Sequence, residues 1–201
     1  NNNNQSISNP AGDSLPSFDS SNKVKGDGAS YFSGSHTLRK DNFGSLIGNN
    51  FSISFWFKNN NTAANTVITR LMQSGGDETG FILQGNSTVT LYYWDGGWKA
   101  GPQFTGIMDN EWHHCTVVVE GSYITLYKDG KEHVSRTSYS GFKNIADSAW
   151  LSIGSEGRFH LTGYMDDYRV YNKALSKHEV NHVMAPLPDF GDKVGVPGLK
   201  A

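Results

Sequence analysis

The chain has 201 residues, a net charge of −2 and 18% charged residues. This length suffices for one large domain with its own core, and all-β sandwiches often reach it as a single unit. The near-neutral charge excludes a broad basic surface for nucleic acid, and the apolar runs are too short for a membrane span. We therefore expect neither nucleic acid binding nor membrane insertion.

The two ends of the chain differ in composition from its middle. Residues 1–16, which begin NNNNQSISNP, lack an apolar period and are expected to be irregular. Residues 186–201 are rich in glycine and proline and are typical of a tail or linker, so the domain is predicted to span 17–185. The low charge, the 23 glycines and the many Asn, Ser and Thr residues favour an extracellular location, whether secreted, on a cell surface or on a virion surface.

Alternation of apolar and polar residues predicts a chain made mostly of β-strands. In FSISFWFK, four apolar side chains share one face, namely Phe51, Ile53, Phe55 and Phe57. Further strands are predicted at 67–74, 80–86, 88–94, 113–120, 123–130, 150–155 and 163–172. The dipeptide Asp129-Gly130 separates two strand-like runs and indicates a two-residue hairpin turn. Many short strands at near-regular spacing indicate a β-sandwich.

One stretch near the C-terminus is predicted to be helical. Ser176 is a candidate N-cap, and Glu179 follows three residues later to complete a capping box. The segment His178–His182 also satisfies H-E-x-x-H, the pattern in which two histidines bind zinc and the glutamate acts as a base. A zinc protease of this kind needs a third ligand, and no His or Glu follows His182. We therefore interpret Glu179 as a helix cap.

Three stretches, taken in order, resemble a single family. They are GDGASYFSGSHTLRK followed by NNFSISFWFK, then EWHHCTVVVEGSYITLYKDGKEH, and finally LSIGSEGRFHLTGYMDDYRVYNKALSKHEV. These motifs resemble the laminin-G-like branch of the concanavalin A-like lectin-glucanase jelly rolls, and the likeness spans about residues 17 to 184. The resemblance implies an all-β, antiparallel jelly-roll sandwich with one short C-terminal helix. In this family the closing helix begins Leu-Ser-x-x-Glu, which agrees with a capping role for Glu179.

The acidic residues argue against catalysis. Related glucanases carry alternating carboxylates on one strand, whereas here only Asp109 and Glu111 have that spacing, at a strand end. The adjacent Asp166 and Asp167 are expected to face opposite sides of their strand. Cys115 is expected to be a buried apolar residue and not a nucleophile, since the histidine before it faces the other side. Because no G-x-S-x-G motif occurs either, we predict that the chain is not an enzyme.

The resemblance also implies a structural calcium ion at the last strand. Ca²⁺ prefers hard oxygen ligands, and Asp166, close to the carbonyl of Gly163, matches the family's site best. Asp19 and Asp27 are the candidates for a distant ligand supplied by the N-terminal segment. Such an ion would hold that segment against the last strand. The alternative is that Asp166 and its neighbour pair with Arg169 or cap local backbone.

The run LYYWDGGWK, residues 91–99, is the clearest candidate for a binding surface. Tyr93, Trp94 and Trp98 offer aromatic rings to the apolar C–H faces of a sugar, while Asp95 can accept hydrogen bonds from its hydroxyl groups. The alternative is that Trp94 and the tyrosine two residues before it face the core, so that the turn has no role in binding.

These features support two hypotheses from different classes. The first is a non-catalytic recognition module that binds a glycan or a glycoprotein surface, with or without Ca²⁺. The second is a structural or adhesive module, such as a virion decoration or attachment protein or a filament or adhesin domain. A module of that kind would act through contacts with neighbouring protein subunits and would bind no sugar.

Overall fold

The computed structural model describes residues 14–59, 66–72, 80–140, 145–154 and 159–185. Over these residues the chain forms two antiparallel sheets and one short α-helix. This is the antiparallel β-sandwich that the strand pattern predicts. Most of the predicted irregular N-terminal segment and all of the predicted tail lie outside the described residues, so the domain bounds of 17–185 stay a prediction.

The first sheet has seven strands in the spatial order β1-β2-β13-β4-β9-β10-β11. Its strands are β1 (Ser17–Asp19), β2 (Ala29–Ser33), β4 (Asn50–Lys58), β9 (His113–Glu120), β10 (Tyr123–Lys128), β11 (Lys131–Ser138) and β13 (Thr162–Tyr171). The second sheet has six strands in the order β3-β12-β5-β6-β7-β8. Its strands are β3 (Leu38–Lys40), β5 (Thr66–Met72), β6 (Phe81–Gly85), β7 (Thr88–Trp94), β8 (Trp98–Thr105) and β12 (Trp150–Ile153).

The centre of the core is the apolar face of β4. Phe51, Ile53, Phe55 and Phe57 are all fully buried, as their alternation predicts. Phe51 stacks on Phe81 of the opposite sheet with ring centroids 5.7 Å apart. Side chains from the two inner faces therefore interdigitate between the sheets, which is the usual construction of a sandwich core.

The hairpin predicted at Asp129-Gly130 is present between β10 and β11. Both residues have positive φ, 50° for Asp129 and 73° for Gly130. Two consecutive residues in this region form the turn that matches the twist of an antiparallel pair, and Asp-Gly is a preferred sequence for it. The prediction of this hairpin is confirmed.

Strand β8 alternates in the sequence, with apolar residues at every second position from Trp98 to Phe104, whereas β11 has Val134 as its one aliphatic residue and no apolar period. Each lies at the edge of its sheet, where it needs only one neighbour. β8 contains Pro102, which cannot donate to a ladder and is tolerated at an edge. β11 carries exposed charges at Lys131, Glu132 and Arg136, which oppose pairing with another chain. An edge strand such as β11, with mostly exposed side chains, is difficult to identify from apolar alternation.

Helix α1 (Lys177–Met184) begins with the predicted capping box. The Ser176 side chain accepts a hydrogen bond from the Glu179 amide, and the Glu179 carboxylate accepts one from the Ser176 amide at 2.9 Å. Glu179 also pairs with Lys173. These hydrogen bonds, that from Lys173 foremost, lower the pKa of Glu179 to about 2. The glutamate of the H-E-x-x-H pattern is therefore a helix cap, as predicted.

We expect Ser176→Ala to lower the free energy of unfolding by about 1 kcal/mol, because the Glu179 amide loses the side-chain oxygen to which it donates. Urea denaturation followed by circular dichroism measures this loss. The matched control is His178→Ala, which changes an exposed side chain of the same turn and should have little effect. Equal stability of the two variants would contradict the capping role.

Candidate functional site

Two tryptophans face each other across the β7–β8 hairpin. Trp94 and Trp98 are directly paired partners of the two strands, and their rings meet edge to face with centroids 5.5 Å apart. The connecting turn is closed by a hydrogen bond from the Asp95 amide to the Gly97 carbonyl at 3.0 Å. Gly96 has a φ of 68°, a conformation that favours glycine. The Asp-Gly-Gly turn therefore brings both indoles to one tip of the sandwich.

The indoles lie on the outer face of the six-stranded sheet, which corrects the alternative assignment of Trp94 to the core. Leu91 is fully buried, and Tyr93 packs against the main core and meets Tyr139 edge-on at 5.3 Å. Because successive side chains of a strand alternate, Tyr92 and Trp94 point outward. The prediction that Tyr93 shares a binding surface with the tryptophans is therefore wrong, since its ring packs inward.

Further apolar side chains continue this surface across the sheet. The strand register places Arg70, Ile82 and Tyr92 in one row over β5, β6 and β7. Ile82 and Tyr92 are each half-buried. Ile82 and Tyr92 share this outer face with Trp94 and Trp98, and the four residues are called here the aromatic strip (Ile82, Tyr92, Trp94 and Trp98). The strip has the mixed apolar and polar character that suits a ligand with both kinds of surface.

At the far end of this face lies Trp150, which is covered by cations. The guanidinium groups of Arg39 and Arg70 lie 4.5 and 4.7 Å from the Trp150 ring centroid. The tryptophan is only 6% exposed, so little of it can meet a ligand. Cation–π contacts of this kind stabilise the sheet. The aromatic strip therefore ends at Ile82, whose neighbour in the row, Arg70, packs on Trp150.

A second aromatic group lies on the seven-stranded sheet. Tyr31 and Tyr164 are partners across β2 and β13, with ring centroids 4.8 Å apart, and Trp112 lies 6.2 Å from Tyr164. Burial raises the pKa of Tyr164, and the neighbouring Asp19 carboxylate adds to the effect. The three rings come from distant parts of the chain, so no local pattern in the sequence could have predicted the group.

The aspartates predicted to bind calcium hold the N-terminal loop by direct contacts. Asp166 is 9% exposed, and its Oδ2 accepts hydrogen bonds from the amides of Val24 and Lys25, both at 2.8 Å. Asp167 binds the Lys25 ammonium at 2.8 Å and the Arg169 guanidinium at 2.5 Å. These are the contacts that the alternative to calcium binding predicts, namely an ion pair with Arg169 and hydrogen bonds that cap backbone amides.

The adjacent Asp166 and Asp167 are expected on opposite faces of β13, but their side chains meet at one residue. Both carboxylates contact the same residue, Lys25. The register between β13 and β4 shifts between Asp166 and Arg169, and Asp167 has a φ of 48°. A bulge of this kind interrupts the period of two, which explains why alternation fails here.

The other predicted calcium ligands, Asp19, Asp27 and Gly163, each have their own surroundings. The Asp19 carboxylate accepts hydrogen bonds from Ser21 and Asn22, which lower its pKa. Asp27 is exposed, while Gly163 lies so close to a β4 carbonyl that a side chain would clash. Within the described ranges, no group of three or more His, Cys, Asp or Glu side chains could hold a metal ion. Calcium binding therefore stays a prediction.

The residues that could suggest catalysis are engaged in structural contacts. The His113 ring lies between two carboxylates, 2.9 Å from Asp129 and 3.1 Å from Asp109. His114 faces the other way and contacts the Ser54 hydroxyl at 2.9 Å. Cys115 is fully buried, as predicted, and burial raises the pKa of its thiol. Asp109, which has the carboxylate spacing of a glucanase with Glu111, accepts a hydrogen bond from the Glu111 backbone amide.

Comparison with known sequences identifies the family that this geometry represents. A sequence model described as the concanavalin A-like lectin/glucanases superfamily matches residues 29–181. The adhesion G-protein coupled receptor V1 of Danio rerio is 25% identical over 144 residues, which cover 67% of this chain and 2% of the receptor. The chain thus spans a very small part of that curated relative.

In the described part of the chain, no helix has the length and apolar character needed to cross a membrane.

Solved structures share the fold at low sequence identity. Domain 4 of AbnA, a GH43 extracellular arabinanase from Geobacillus stearothermophilus, in complex with arabinotriose, is similar with a TM-score of 0.72 and 20% identity, covering 90% of this chain and 87% of that one. The botulinum neurotoxin serotype G binding domain is similar with a TM-score of 0.68 and 12% identity, covering 91% and 47%. At these identities the likeness shows the fold alone, and it confirms the concanavalin A-like sandwich.

The buried His114 predicts a pH dependence of stability. Burial, helped by the charge of Lys25, lowers its pKa to about 4, against about 6.5 in an unfolded chain. Between these values the unfolded chain binds more protons, so stability is complete above pH 6.5 and falls as the pH drops towards 4. We expect His114 to account for a loss of about 2 kcal/mol between pH 7 and pH 5.

Denaturation of wild type and His114→Gln at pH 7, 6 and 5 measures this contribution. The variant should lose less unfolding free energy over the interval than the wild type. His160→Gln, which replaces an exposed histidine, should retain the wild-type slope. Parallel slopes for wild type and His114→Gln would show that the ring does not titrate as its burial requires.

Proposed function

Since the chain belongs to the concanavalin A-like lectin/glucanases superfamily, we propose that it is a non-catalytic recognition module that binds carbohydrate. The proposed surface is the aromatic strip on the outer face of the six-stranded sheet. The observation that carries the proposal is the pairing of Trp94 and Trp98, held half-exposed at the tip of a closed hairpin.

The chemistry of the strip suits a sugar. Pyranose and furanose rings present C–H groups that pack on the electron-rich faces of Trp and Tyr, while their hydroxyl groups need hydrogen-bond partners. Asp95 lies between the two indoles in the chain and supplies carboxylate oxygens at the same tip. The row from Trp94 through Tyr92 to Ile82 extends over neighbouring strands, which suits an oligosaccharide better than a single sugar unit.

The similar proteins support a binding role. Domain 4 of the arabinanase was solved in complex with arabinotriose, and the toxin structure is a binding domain. Both the extracellular arabinanase and the adhesion receptor accord with a location outside the cell for this chain. A glycan or glycoprotein surface is accordingly the proposed partner.

An adhesive module that acts through protein contacts is the second candidate function. Its support is the match to an adhesion receptor, of which this chain would correspond to a small segment. Such a module would assemble with neighbouring protein subunits, as in an adhesin, a filament or a virion, and its aromatic strip would meet a protein. The two candidates are distinguished by whether the isolated domain binds free glycans.

We expect Trp98→Ala to weaken glycan affinity tenfold or more, since a central aromatic contact is worth at least about 1.4 kcal/mol. A glycan array, recorded with millimolar CaCl₂ and again with EDTA, identifies an oligosaccharide. Calorimetric titration with that oligosaccharide then gives the affinity of wild type and variant.

Trp112→Ala is the matched control, because it also removes a half-buried indole but from the other sheet. It should leave the affinity unchanged, and circular dichroism should show both variants folded. If Trp112→Ala weakens binding and Trp98→Ala does not, the site lies on the second aromatic group. If the wild type binds no glycan in either condition, the protein-contact function is favoured, and light scattering would then test for assembly.

A further inference from the structure

The ammonium group of Lys25 lies where three parts of the chain meet. Lys25 belongs to the loop before β2, and its Nζ is 2.8 Å from Asp167 Oδ2 in β13. The same Nζ donates to the Val183 carbonyl in the last turn of α1. The residue is only 8% exposed, which is rare for lysine and requires such partners. One side chain thereby joins the N-terminal loop, the last strand and the closing helix.

Each contact of Lys25 is with negative charge. Asp167 carries a full charge, and the carbonyls at the C-terminal end of a helix carry the negative end of its dipole. The Lys25 amide, together with that of Val24, also donates to Asp166. Both the backbone and the side chain of this residue therefore bind the aspartate pair.

The local charge is already balanced without a metal ion. Asp166 and Asp167 contribute two negative charges, and Lys25 and Arg169 contribute two positive ones, with Arg169 Nε 2.5 Å from Asp167. A calcium ion bound to Asp166 would add two positive charges close to a buried ammonium, where solvent screening is weak. An ion that used Asp166 Oδ2 would also compete with the two amide hydrogen bonds of 2.8 Å that this oxygen accepts.

We propose that Lys25 is the built-in cation of this domain and that it holds the N-terminal segment to the last strand in place of calcium. The inference concerns the opposite sheet from the aromatic strip and is independent of what the strip binds. It predicts a domain whose stability does not respond to calcium and whose closing helix depends on Lys25.

The first test is the thermal stability of Lys25→Met. We expect its Tm to fall by about 10 °C, because Asp167 loses a buried partner and the Val183 carbonyl loses its donor. Lys23→Met is the matched control in the same loop, since Lys23 is exposed and its Nζ donates to the Asp27 carbonyl at the long distance of 3.5 Å. Hydrogen exchange in Lys25→Met should quicken in two separate segments, the loop 20–28 and α1. Equal Tm values for the two variants would overturn the proposal.

The second test uses the wild type and needs no variant to fold. Its Tm after treatment with EDTA and in 10 mM CaCl₂ should agree within about 1 °C, with MgCl₂ as the ionic-strength control. If calcium raises the Tm by several degrees, the measurement is repeated on Asp166→Asn. Loss of the calcium effect in Asp166→Asn would place calcium at this site and overturn the proposal. Persistence of the effect would place the ion elsewhere and leave Lys25 as the cation here.

Discussion

The alternation of side chains along a pleated strand is the constraint on which the rest of this structure depends. In a two-layer sandwich each strand gives one face to the core, so the phase of its alternation decides what is left for the outside. In β4 this phase buries Phe51, Ile53, Phe55 and Phe57. The same rule in β7 turns Leu91 and Tyr93 inward and therefore Tyr92 and Trp94 outward. The candidate binding surface is thus a consequence of core packing in the strand that carries it.

Local patterns in the sequence were sufficient where one segment determines its own structure. The apolar face of β4, the Asp129-Gly130 turn and the Ser176–Glu179 capping box are each encoded within a few residues, and each is present. The edge strand β11 lacks such a pattern because most of its side chains are exposed to solvent. The aspartate pair could not be placed by alternation, since a bulge at Asp167 changes the phase.

The candidate site was only partly accessible from the sequence for the same reason. Trp94 and Trp98 are four residues apart, so a single turn explains their meeting. Ile82 joins them only through the pairing of β6 with β7, and Tyr31, Trp112 and Tyr164 meet through three separate segments. Contacts that depend on strand order require the topology, which no local period encodes. Family resemblance supplied the topology here, but it could not supply the partner of Asp166.

The two outer faces of the sandwich are covered differently. Helix α1 covers part of the seven-stranded sheet, where Leu175 and Val180 pack on Val118 and Tyr127. Beside this patch lies the Lys25 contact, and the neutral state of His114 avoids a second buried positive charge next to the ammonium. A buried cation is stable only when its neighbours supply negative charge and hydrogen-bond acceptors. The residues around Lys25 therefore cannot be replaced freely to build a ligand site. The aromatic strip lies on the six-stranded sheet, away from the buried Lys25 contact, and this separation supports the proposal that recognition uses that sheet.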